Sequence, residues 1–257
     1  MSTLDVNALL RQRYGAGAPV VTDPAIVASD TLGLLLRHRS VRAFTGDEVS
    51  DEAITAIVAA AKSAASSSNN QSWSVVEVRD RDRLRRLVTE AGASAFVSEA
   101  PVVLLFVADW ARATEIARWH DEPADATAYL ESTLVGFVDA GIAAQSAVVA
   151  AEALGLGTVY LGSLRNHPEV AATEIGLPQA SAVAFGVAIG WPDPTDTTGR
   201  WAAVKVRPKT KLPQPVTLAA IKAEPKLADC ELVRQSRLSV CEITAEEWAL
   251  ITAMGGL

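Results

Sequence analysis

A cluster of basic residues follows a run of leucines in the stretch LLLRHRSVRAF, residues 34–44. Four potentially cationic side chains lie within six positions: Arg37, His38, Arg39 and Arg42. Arginine makes paired, charge-assisted hydrogen bonds to phosphate or carboxylate groups, so the cluster predicts a site for an anion. Arginines near the C-terminus of a helix also complement the helix dipole, and this structural role remains an alternative.

Two further segments place polar or flexible residues beside predicted strands. Residues 64–73, AASSSNNQSW, offer hydroxyls, side-chain amides and backbone N–H groups directly before a strand, although a solvated loop of this composition is ordinary. Residues 155–166, GLGTVYLGSLRN, contain glycines that permit a close backbone approach at a strand end. A Schellman-type helix end explains Gly155 or Gly157, but it does not explain Gly162. Together with the basic cluster, these segments predict a site for a planar ligand that carries a phosphate.

The composition of the chain limits the partners of the basic cluster. The 257 residues include 23 Lys and Arg residues against 30 Asp and Glu residues, which gives a net charge of -7. No long basic face or aromatic-interleaved basic stripe accompanies the cluster, so nucleic acid is not expected as a partner. Cys230 and Cys241 lack metal-ligand spacing, and the N-terminus lacks the layout of a secretory signal. These features predict free thiols in a cytoplasmic protein.

Other enzyme motifs are absent or incomplete. The sequence has no G-x-x-x-x-G-K-[ST] loop and no G-x-S-x-G elbow, and the glycines of residues 155–162 have the wrong spacing for a dinucleotide fingerprint. His120, Asp121 and Glu122 are adjacent, but a solvated helix end before Pro123 explains them better than a metal site does. The sequence therefore predicts no metal centre.

Hydrophobic periodicity predicts the elements that position these segments. Strands are predicted within residues 72–80, 100–110, 157–164 and 181–191. Helices are predicted from Asp30 or Thr31 as N-cap, from Ser50 as N-cap, over residues 81–92, from about Ser132 to Leu154, and from Pro168. Because helices and strands are mixed without strict alternation, the pattern indicates an α+β or α/β sheet covered by helices on both faces.

The longest apolar stretch and the proline-rich tail differ from the rest of the chain. Asp139, Gln145 and Glu152 interrupt the apolar stretch, so it is interpreted as a helix buried in a core or a subunit interface and not as a membrane span. Beyond Trp191, recurrent prolines argue against a compact layered domain and predict an arm that wraps a partner.

The ordered set of motifs resembles the FMN-dependent nitroreductase family, and within it the NADPH-dependent flavin reductase and nitroreductase group. The motifs follow in matching order between Leu34 and Pro213: RHRSVRAF, SSSNNQSWSVV, VGFVDAGIAAQSAVVAAEALGLGTVYLGSLRN, LPQ and FGVAIGWP. The resemblance implies an α+β protein with a mixed sheet covered by helices, in an intertwined homodimer with two FMN sites at its interface. It also implies a single domain over residues 1–257, composed of an N-terminal extension (1–29), a flavin-binding core (30–191) and a C-terminal arm (192–257).

The resemblance assigns roles to individual residues. The contacts to the FMN phosphate and ribityl chain are expected from His38, Arg39 and Ser40, and Arg42 is expected beside flavin N1 and the C2 carbonyl as the catalytic cation. The loop under the isoalloxazine ring is expected to comprise Ser66, Ser67, Ser68 and Asn69. The strand end whose backbone faces flavin N5 and O4 is expected to comprise Tyr160, Leu161, Gly162 and Ser163.

A basic pair before Leu-Pro closes the phosphate site in this family, and the stretch KVRPKTKLP offers two registers. Lys209 and Lys211 are favoured, and Lys205 and Arg207 are the alternative. The chain also departs from the family, because Ser163 replaces a usual glycine. Further departures are Ser94 in place of a frequent glutamine and a C-terminal segment without the expected NADPH-contacting loop. The choice between NADPH and NADH therefore stays open.

The resemblance implies a ping-pong hydride transfer from NADPH or NADH through FMN to a small planar oxidised acceptor, such as a nitroaromatic, a quinone or a free flavin. Arg42 is expected to stabilise the negative charge of the reduced flavin. Two alternatives remain. One is a flavin-dependent dehydrogenase or reductive-elimination enzyme of the same family, and the other is an FMN-binding or storage protein.

Overall fold

The computed structural model describes residues 5–195, 210–234 and 243–257. Residues 5–195 belong to one compact unit, and the other two ranges belong to a second. The predicted division into extension, core and arm stays a prediction. Lys205, Arg207, Lys209 and Cys241 lie outside the described residues.

The first unit begins with three helices: α1 (Val6–Tyr14), α2 (Pro24–Val27) and α3 (Asp30–Arg37). Asp5 caps α1 by accepting a hydrogen bond from the N–H of Asn7, and α1 packs on α3. The N-cap of α3 is Ser29, one residue before the predicted positions, and its hydroxyl accepts from the N–H of Leu32. The sequence did not predict α1, which is short and carries only one buried residue, Val6.

Four strands form the sheet of the first unit: β1 (Trp73–Val78), β2 (Val102–Asp109), β3 (Gly157–Leu161) and β4 (Ser181–Gly190). Their order is β1-β2-β4-β3, and each neighbouring pair is antiparallel. Ser40 adds a parallel bridge to Thr158 of β3, so the edge of the sheet has mixed pairing. All four strands lie within the predicted stretches, and the α+β fold is confirmed.

Five helices accompany the sheet: α4 (Asp51–Lys62), α5 (Arg81–Thr89), α6 (Ala111–Trp119), α7 (Leu130–Ala153) and α8 (Pro168–Glu174). Ser50 caps α4 and His167 precedes α8, as predicted. The sequence predicted only a helix end before Pro123, whereas α6 is a complete helix between β2 and α7. Its N-cap, Trp110, makes no side-chain capping bond, so the usual sequence signal for a helix start is missing.

The hydrophobic core lies on both faces of the sheet. Leu104 and Phe106 of β2 belong to a cluster with residues of α4 and α7, whereas Val103 and Leu105 belong to a cluster with residues of α5 and α8. Alternate residues of a strand point to opposite faces, so a strand covered on both sides must be apolar throughout. This explains the continuous apolar run of β2, in which each fully buried leucine or phenylalanine contributes about 1.5–3 kcal/mol.

The helix α7 packs against the sheet through small side chains. Ala140, Ala143, Ala144 and Ala147 are fully buried in the cluster that also contains α4. Among the described residues, α7 is the one helix whose length and composition would allow it to cross a membrane. Its alanine face is instead occupied by the sheet, which agrees with the interpretation as a core helix.

The second unit contains α9 (Leu218–Ala223), α10 (Glu231–Arg234) and α11 (Ala245–Met254). Thr244 and Glu247 form a capping box at the start of α11. A small buried cluster joins these helices and consists of Ile221, Leu227, Cys230 and Ile251. Cys230 is a free thiol, as predicted. The proline spacing predicted neither the helices nor this cluster.

Candidate functional site

The stretch that carries the basic cluster, residues 37–42 and here called the basic segment, lies directly against the edge strand β3. Ser40 bridges to Thr158, and the N–H of Val41 donates to the carbonyl oxygen of Thr158 at 2.9 Å. A Cβ atom on Gly157 would lie 2.8 Å from three side-chain carbons of Val41, which is closer than real Cβ contacts allow. Gly157 is therefore required for the close packing of this segment on β3.

Gly155 has the role that the sequence left open between two glycines. It has a φ of 85°, and its N–H donates to the carbonyl oxygen of Glu152. The N–H of Leu156 donates to the carbonyl oxygen of Ala151 at 3.1 Å, which completes a Schellman motif at the end of α7. The helix end thus explains Gly155, and the packing on Val41 explains Gly157.

His38 is held from behind by a carboxylate. Its Nδ1 atom lies 2.6 Å from Oε1 of Glu152 on α7, and the same oxygen accepts a hydrogen bond from Oγ1 of Thr158 at 2.7 Å. Arg13 of α1 donates to the carbonyl oxygens of Leu36 and His38 at 3.1 and 3.0 Å. The turn that carries the basic cluster is therefore fixed by side chains from two helices.

The arginines of the cluster differ in exposure. Arg39 is exposed next to Ser40, whereas Arg42 is half-buried. Burial lowers the pKa of Arg42, because an apolar environment disfavours the charged guanidinium. Arginine nevertheless stays protonated at neutral pH, so Arg42 supplies a fixed positive charge that is partly shielded from water.

The predicted strand end comprises the last two residues of β3 and the first two residues of the turn that follows. The hydroxyl of Tyr160 donates to Oε1 of Gln145 on α7 at 3.3 Å, and its ring meets Phe185 edge-on with centroids 5.4 Å apart. Burial raises the pKa of Tyr160 to about 12, so its hydroxyl stays protonated at neutral pH. Leu161 is buried, and the exposed Gly162 and the half-buried Ser163 begin a 3₁₀ turn.

The loop that contains Ser66, Ser67, Ser68 and Asn69, here called the serine loop, has an unusual backbone. Three of its non-glycine residues have positive φ angles, with values of 50° for Ser68, 55° for Asn69 and 49° for Gln71. Such conformations cost about 1–3 kcal/mol each and persist only where the surroundings enforce them. Strained loops of this kind are concentrated at ligand sites.

Two charged side chains enforce the conformation of the serine loop. Asp139 of α7 is 1% exposed and accepts from the N–H of Ser67 and from Oγ of Ser72, both at 3.0 Å. Arg112 of α6 donates to the carbonyl oxygen of Gln71 and, at 3.3 Å, to that of Trp73. The loop is thus held at both ends by helices that lie outside the predicted site.

The helix α7 contacts each of the three predicted segments. Asp139 binds the serine loop, Gln145 accepts from Tyr160, and Glu152 binds His38. At a rise of about 1.5 Å per residue, these contacts span about 20 Å along the helix. The basic cluster and the strand end are brought together by β3, and the serine loop contacts the other half of α7.

The sequence interpretation missed the roles of Asp139 and Glu152, which it treated only as interruptions of an apolar helix. A carboxylate in an apolar helix must find hydrogen-bond donors, since an unpaired buried charge is strongly unfavourable. This rule could have marked both residues as partners of polar loops, but it could not name the loops.

The remaining predicted site residues belong to the C-terminal part of the chain. Lys211 is exposed in the second unit, and Lys209, Lys205 and Arg207 lie outside the described residues. Within the described part of the chain, no group of three or more His, Cys, Asp or Glu side chains is arranged to hold a metal ion.

Comparison with known proteins gives two family matches. A sequence profile of the nitroreductase family matches residues 35–191, which include the basic cluster, the serine loop and the whole sheet. A profile of the EVE domain matches residues 181–254, a shorter part of the chain that overlaps the first match in β4.

Individual relatives agree with the nitroreductase match. FMN reductase [NAD(P)H] of Bacillus subtilis is 40% identical over 165 residues, which are 64% of this chain and 66% of that protein. NADPH-flavin oxidoreductase of Vibrio harveyi is 42% identical over 165 residues, which are 64% of this chain and 67% of that protein. The alignments therefore span about two thirds of the length of these curated relatives.

A solved structure extends the likeness over most of the chain. The NADPH:FMN oxidoreductase from Vibrio harveyi, complexed with NAD+, superposes with a TM-score of 0.62 at 32% sequence identity. The superposition covers 89% of this chain and 98% of that chain. Because the family profile matches well over half of the sequence, and the fold agrees, the chain belongs to the nitroreductase family.

Proposed function

We propose that this protein is an FMN-dependent oxidoreductase that transfers hydride from NADPH or NADH to small planar oxidised acceptors, such as nitroaromatics, quinones or free flavins. The observation that carries the proposal is the packing of the basic segment on β3, which puts an exposed Arg39 beside the strand that leads into the turn at Gly162. The names of the relatives, an FMN reductase and an NADPH-flavin oxidoreductase, support this assignment.

The residues present fit FMN. Ser40 pairs with Thr158, and Gly162 follows four residues later, so the two ends of the site are about 13 Å apart at the usual rise of a strand. His38, Arg39 and Ser40 supply donors for a phosphate and a polyol chain. Gly162 is exposed and Ser163 is half-buried, and their backbone would face the polar edge of a planar ring.

The other contacts complete the proposed site. Arg42 would lie beside the N1 and C2 carbonyl edge of the ring, and the serine loop would lie under it. Lys209 and Lys211 would close the phosphate site, with Lys205 and Arg207 as the alternative pair. Tyr160 and Leu161 would contribute the backbone that precedes the turn.

In the proposed mechanism, bound FMN would supply the chemistry of hydride transfer between the nicotinamide and the acceptor. The protein would provide binding and electrostatics. The fixed charge of Arg42 would stabilise negative charge as it develops on the ring, and its partial burial would strengthen that interaction. The serine loop is already held in its strained form, so it would need little reorganisation when a ligand binds.

We also propose a homodimer with two such sites at its interface, in the cytoplasm, with the C-terminal segment reaching across the partner. Support comes from α7, which exposes four apolar side chains at intervals of four residues: Leu130, Leu134, Val138 and Ile142. An apolar row of this kind on a soluble protein indicates a protein–protein contact. The proposal includes neither nucleic acid nor a membrane as a partner.

A second candidate keeps the flavin but reverses or diverts the electron flow, as a dehydrogenase or reductive-elimination enzyme of the same family. The observation that favours it is Ser163, which adds a side chain at the strand end where the family usually has a glycine. A third candidate is an FMN-binding or storage protein without an efficient reductant.

Two measurements test the proposal. Denaturation of the purified yellow protein should release FMN, and release of FAD or the absence of flavin after reconstitution would refute the cofactor assignment. Anaerobic mixing with NADPH and, separately, with NADH should bleach the flavin rapidly in at least one case. A flavin that binds but is bleached by neither would favour the second or third candidate.

A further inference from the structure

A carboxylate without a role in the proposed mechanism lies behind the basic cluster. The side chain of Glu152, in the last turn of α7, is only 12% exposed. Its Oε1 atom lies 2.6 Å from Nδ1 of His38 and 2.7 Å from Oγ1 of Thr158. It is therefore bound on the side of the basic segment that faces the protein.

The contact with Glu152 fixes both the ring and the proton of His38. A carboxylate only accepts hydrogen bonds, so Nδ1 must carry the proton at this distance. An ionised phosphate oxygen only accepts hydrogen bonds, so the opposite ring nitrogen, Nε2, can bind it only when it is protonated as well. The adjacent carboxylate of Glu152 then balances the charge of the cationic ring. His38 is 32% exposed in its side chain, so it remains accessible from solvent.

Thr158 connects the same carboxylate to the backbone of the basic segment. Its hydroxyl donates to Glu152, its carbonyl oxygen accepts from the N–H of Val41 at 2.9 Å, and the residue bridges to Ser40. Thr158 is fully buried, so this arrangement is shielded from water. One carboxylate thus fixes His38 directly and the neighbouring Ser40 through β3.

We propose that Glu152 is a positioning residue for phosphate recognition: it holds His38 with Nε2 directed to the phosphate end of the ligand and so gives the protein its preference for FMN over riboflavin. This inference rests on the proposed function, because it concerns one end of the proposed FMN site. It predicts an effect on the phosphate end alone, which a general structural role of Glu152 would not produce.

The test compares the dissociation constants of FMN and riboflavin, which share the ring and the ribityl chain and differ in the phosphate. Glu152→Gln keeps the shape of the side chain and an acceptor oxygen for Thr158 and His38, but it removes the negative charge that balances a cationic His38. We expect the dissociation constant of FMN to rise about tenfold and that of riboflavin to stay within about twofold. The preference for FMN should fall accordingly.

Further variants sharpen the comparison. Glu90→Gln removes a carboxylate from the exposed C-terminal end of α5 and should change neither constant. In the double variant Glu152→Gln/His38→Gln, the loss of FMN affinity should equal that of His38→Gln alone, because Glu152 acts through His38. If Glu152→Gln does not fold, Glu152→Asp, which shortens the reach to His38, should lower the same preference.

Several outcomes would overturn the inference. Equal weakening of FMN and riboflavin would show that Glu152 only supports the fold. No change in either constant, or additive losses in the double variant, would separate Glu152 from phosphate recognition. A wild-type protein that binds neither flavin would instead refute the proposed function itself, and with it this inference.

Discussion

At the scale of single residues, the arginines of the basic cluster have different environments. Arg39 is exposed, whereas Arg42 is half-buried with a lowered pKa. An exposed guanidinium suits a ligand group that arrives from solvent, such as a phosphate. A partly desolvated guanidinium interacts more strongly with charge that develops nearby, because the local dielectric constant is lower. Substitution of Arg39 and substitution of Arg42 should therefore have different effects on the bound flavin.

Arg39→Ala should weaken FMN binding by about 1.5–3 kcal/mol, the range for hydrogen bonds to charged groups, while any bound flavin reacts almost normally. Arg42→Ala should instead lower the reduction potential of the bound flavin and slow its reduction, because a charge that favours the reduced ring is lost. Equilibrium titration with FMN and redox titration of the bound flavin measure the two effects.

Arg37 provides the matched control for both arginines. It lies in the last turn of α3 and is exposed, so its charge complements the helix dipole but has no assigned ligand contact. Arg37→Ala should change FMN affinity and potential by no more than a few tenths of a kcal/mol. If all three substitutions had equally small effects, the cluster would be a helix-end feature and not a cofactor site.

The sequence predicted the types of the candidate site residues but not the side chains that hold them. The basic cluster and the serine loop stand out by composition within short windows. Their anchors do not, since Ser67 and Asp139 are 72 positions apart, and His38 and Glu152 are 114 positions apart. Contacts over such separations depend on how α7 crosses the sheet, which no local pattern encodes.

At the scale of elements, the basic segment depends on the missing side chain of Gly157. Gly157→Ala should destabilise the fold by about 1–3 kcal/mol, as overpacking does, and should weaken FMN binding by displacing the segment that carries Arg39. Urea unfolding and FMN titration measure the two effects. The double variant Gly157→Ala/Val41→Gly removes all three side-chain carbons that the new methyl group would meet and should recover part of the lost FMN affinity.

Gly46→Ala is the control, because a Cβ atom there would meet nothing within 4 Å. It should leave FMN affinity unchanged. If Gly157→Ala and Gly46→Ala behaved alike, the contact with Val41 would not position the basic segment.

The helices α5 and α8 are joined by an ion pair that predicts a pH dependence. Arg86 donates to both carboxylate oxygens of Glu174 at 2.9 and 2.7 Å, and this hydrogen bonding lowers the pKa of Glu174 from 4.5. A carboxylate whose pKa is lower in the folded state stabilises the protein at pH values above its pKa in the unfolded state. This stabilisation is lost as the pH falls through the pKa of the folded state.

Glu174→Gln should therefore reduce stability at neutral pH and flatten the loss of stability below about pH 4.5. The free energy of unfolding, measured by urea titration across this range, checks the prediction. Glu90→Gln, at the exposed C-cap of α5, should leave the loss of stability at low pH unchanged. If Glu174→Gln lost stability at low pH in the same way as the wild type, other carboxylates would dominate acid unfolding.

The elements that the sequence predicted are those with strong local signals. The strand β2 is a continuous apolar run, and α4 has a serine N-cap followed by acidic residues in its first turn. Several of the elements that it missed have weaker signals, although α11, which was also missed, begins with a capping box of Thr244 and Glu247. The helix α6 has no side-chain cap, and α9 and α10 have only six and four residues. Such short helices depend on packing more than on intrinsic propensity.

At the scale of the whole molecule, the family assignment is carried by the first unit. The nitroreductase profile ends at residue 191, before the second unit begins. The basic pair proposed to close the phosphate site, Lys209 and Lys211, lies beyond that profile. If the C-terminal segment of each chain completes the site of its partner, complete sites form only in the dimer, because a site built from two chains requires their association.

The exposed row on α7 is the feature of the molecule that a second copy would cover. Leu134 and Val138 are 52% and 58% exposed, although the opposite side of the same helix is fully buried in the core. A two-fold axis would place the same row of each chain against its partner, as in most soluble homodimers. The acidic residues of α7 do not belong to this row, since Asp139 and Glu152 bind loops of their own chain.

Light scattering of the FMN-bound protein should therefore give a molar mass of twice the 27.0 kDa of one chain. Leu134→Lys/Val138→Lys should convert it to a monomer, because two charges would have to be buried without partners, and FMN should be lost with the interface. Val20→Lys, at a 73% exposed position of the N-terminal segment, should leave both mass and flavin content unchanged. A wild-type monomer that retains FMN would refute the dimer, and a dimeric Leu134→Lys/Val138→Lys variant would place its interface on another face of the molecule.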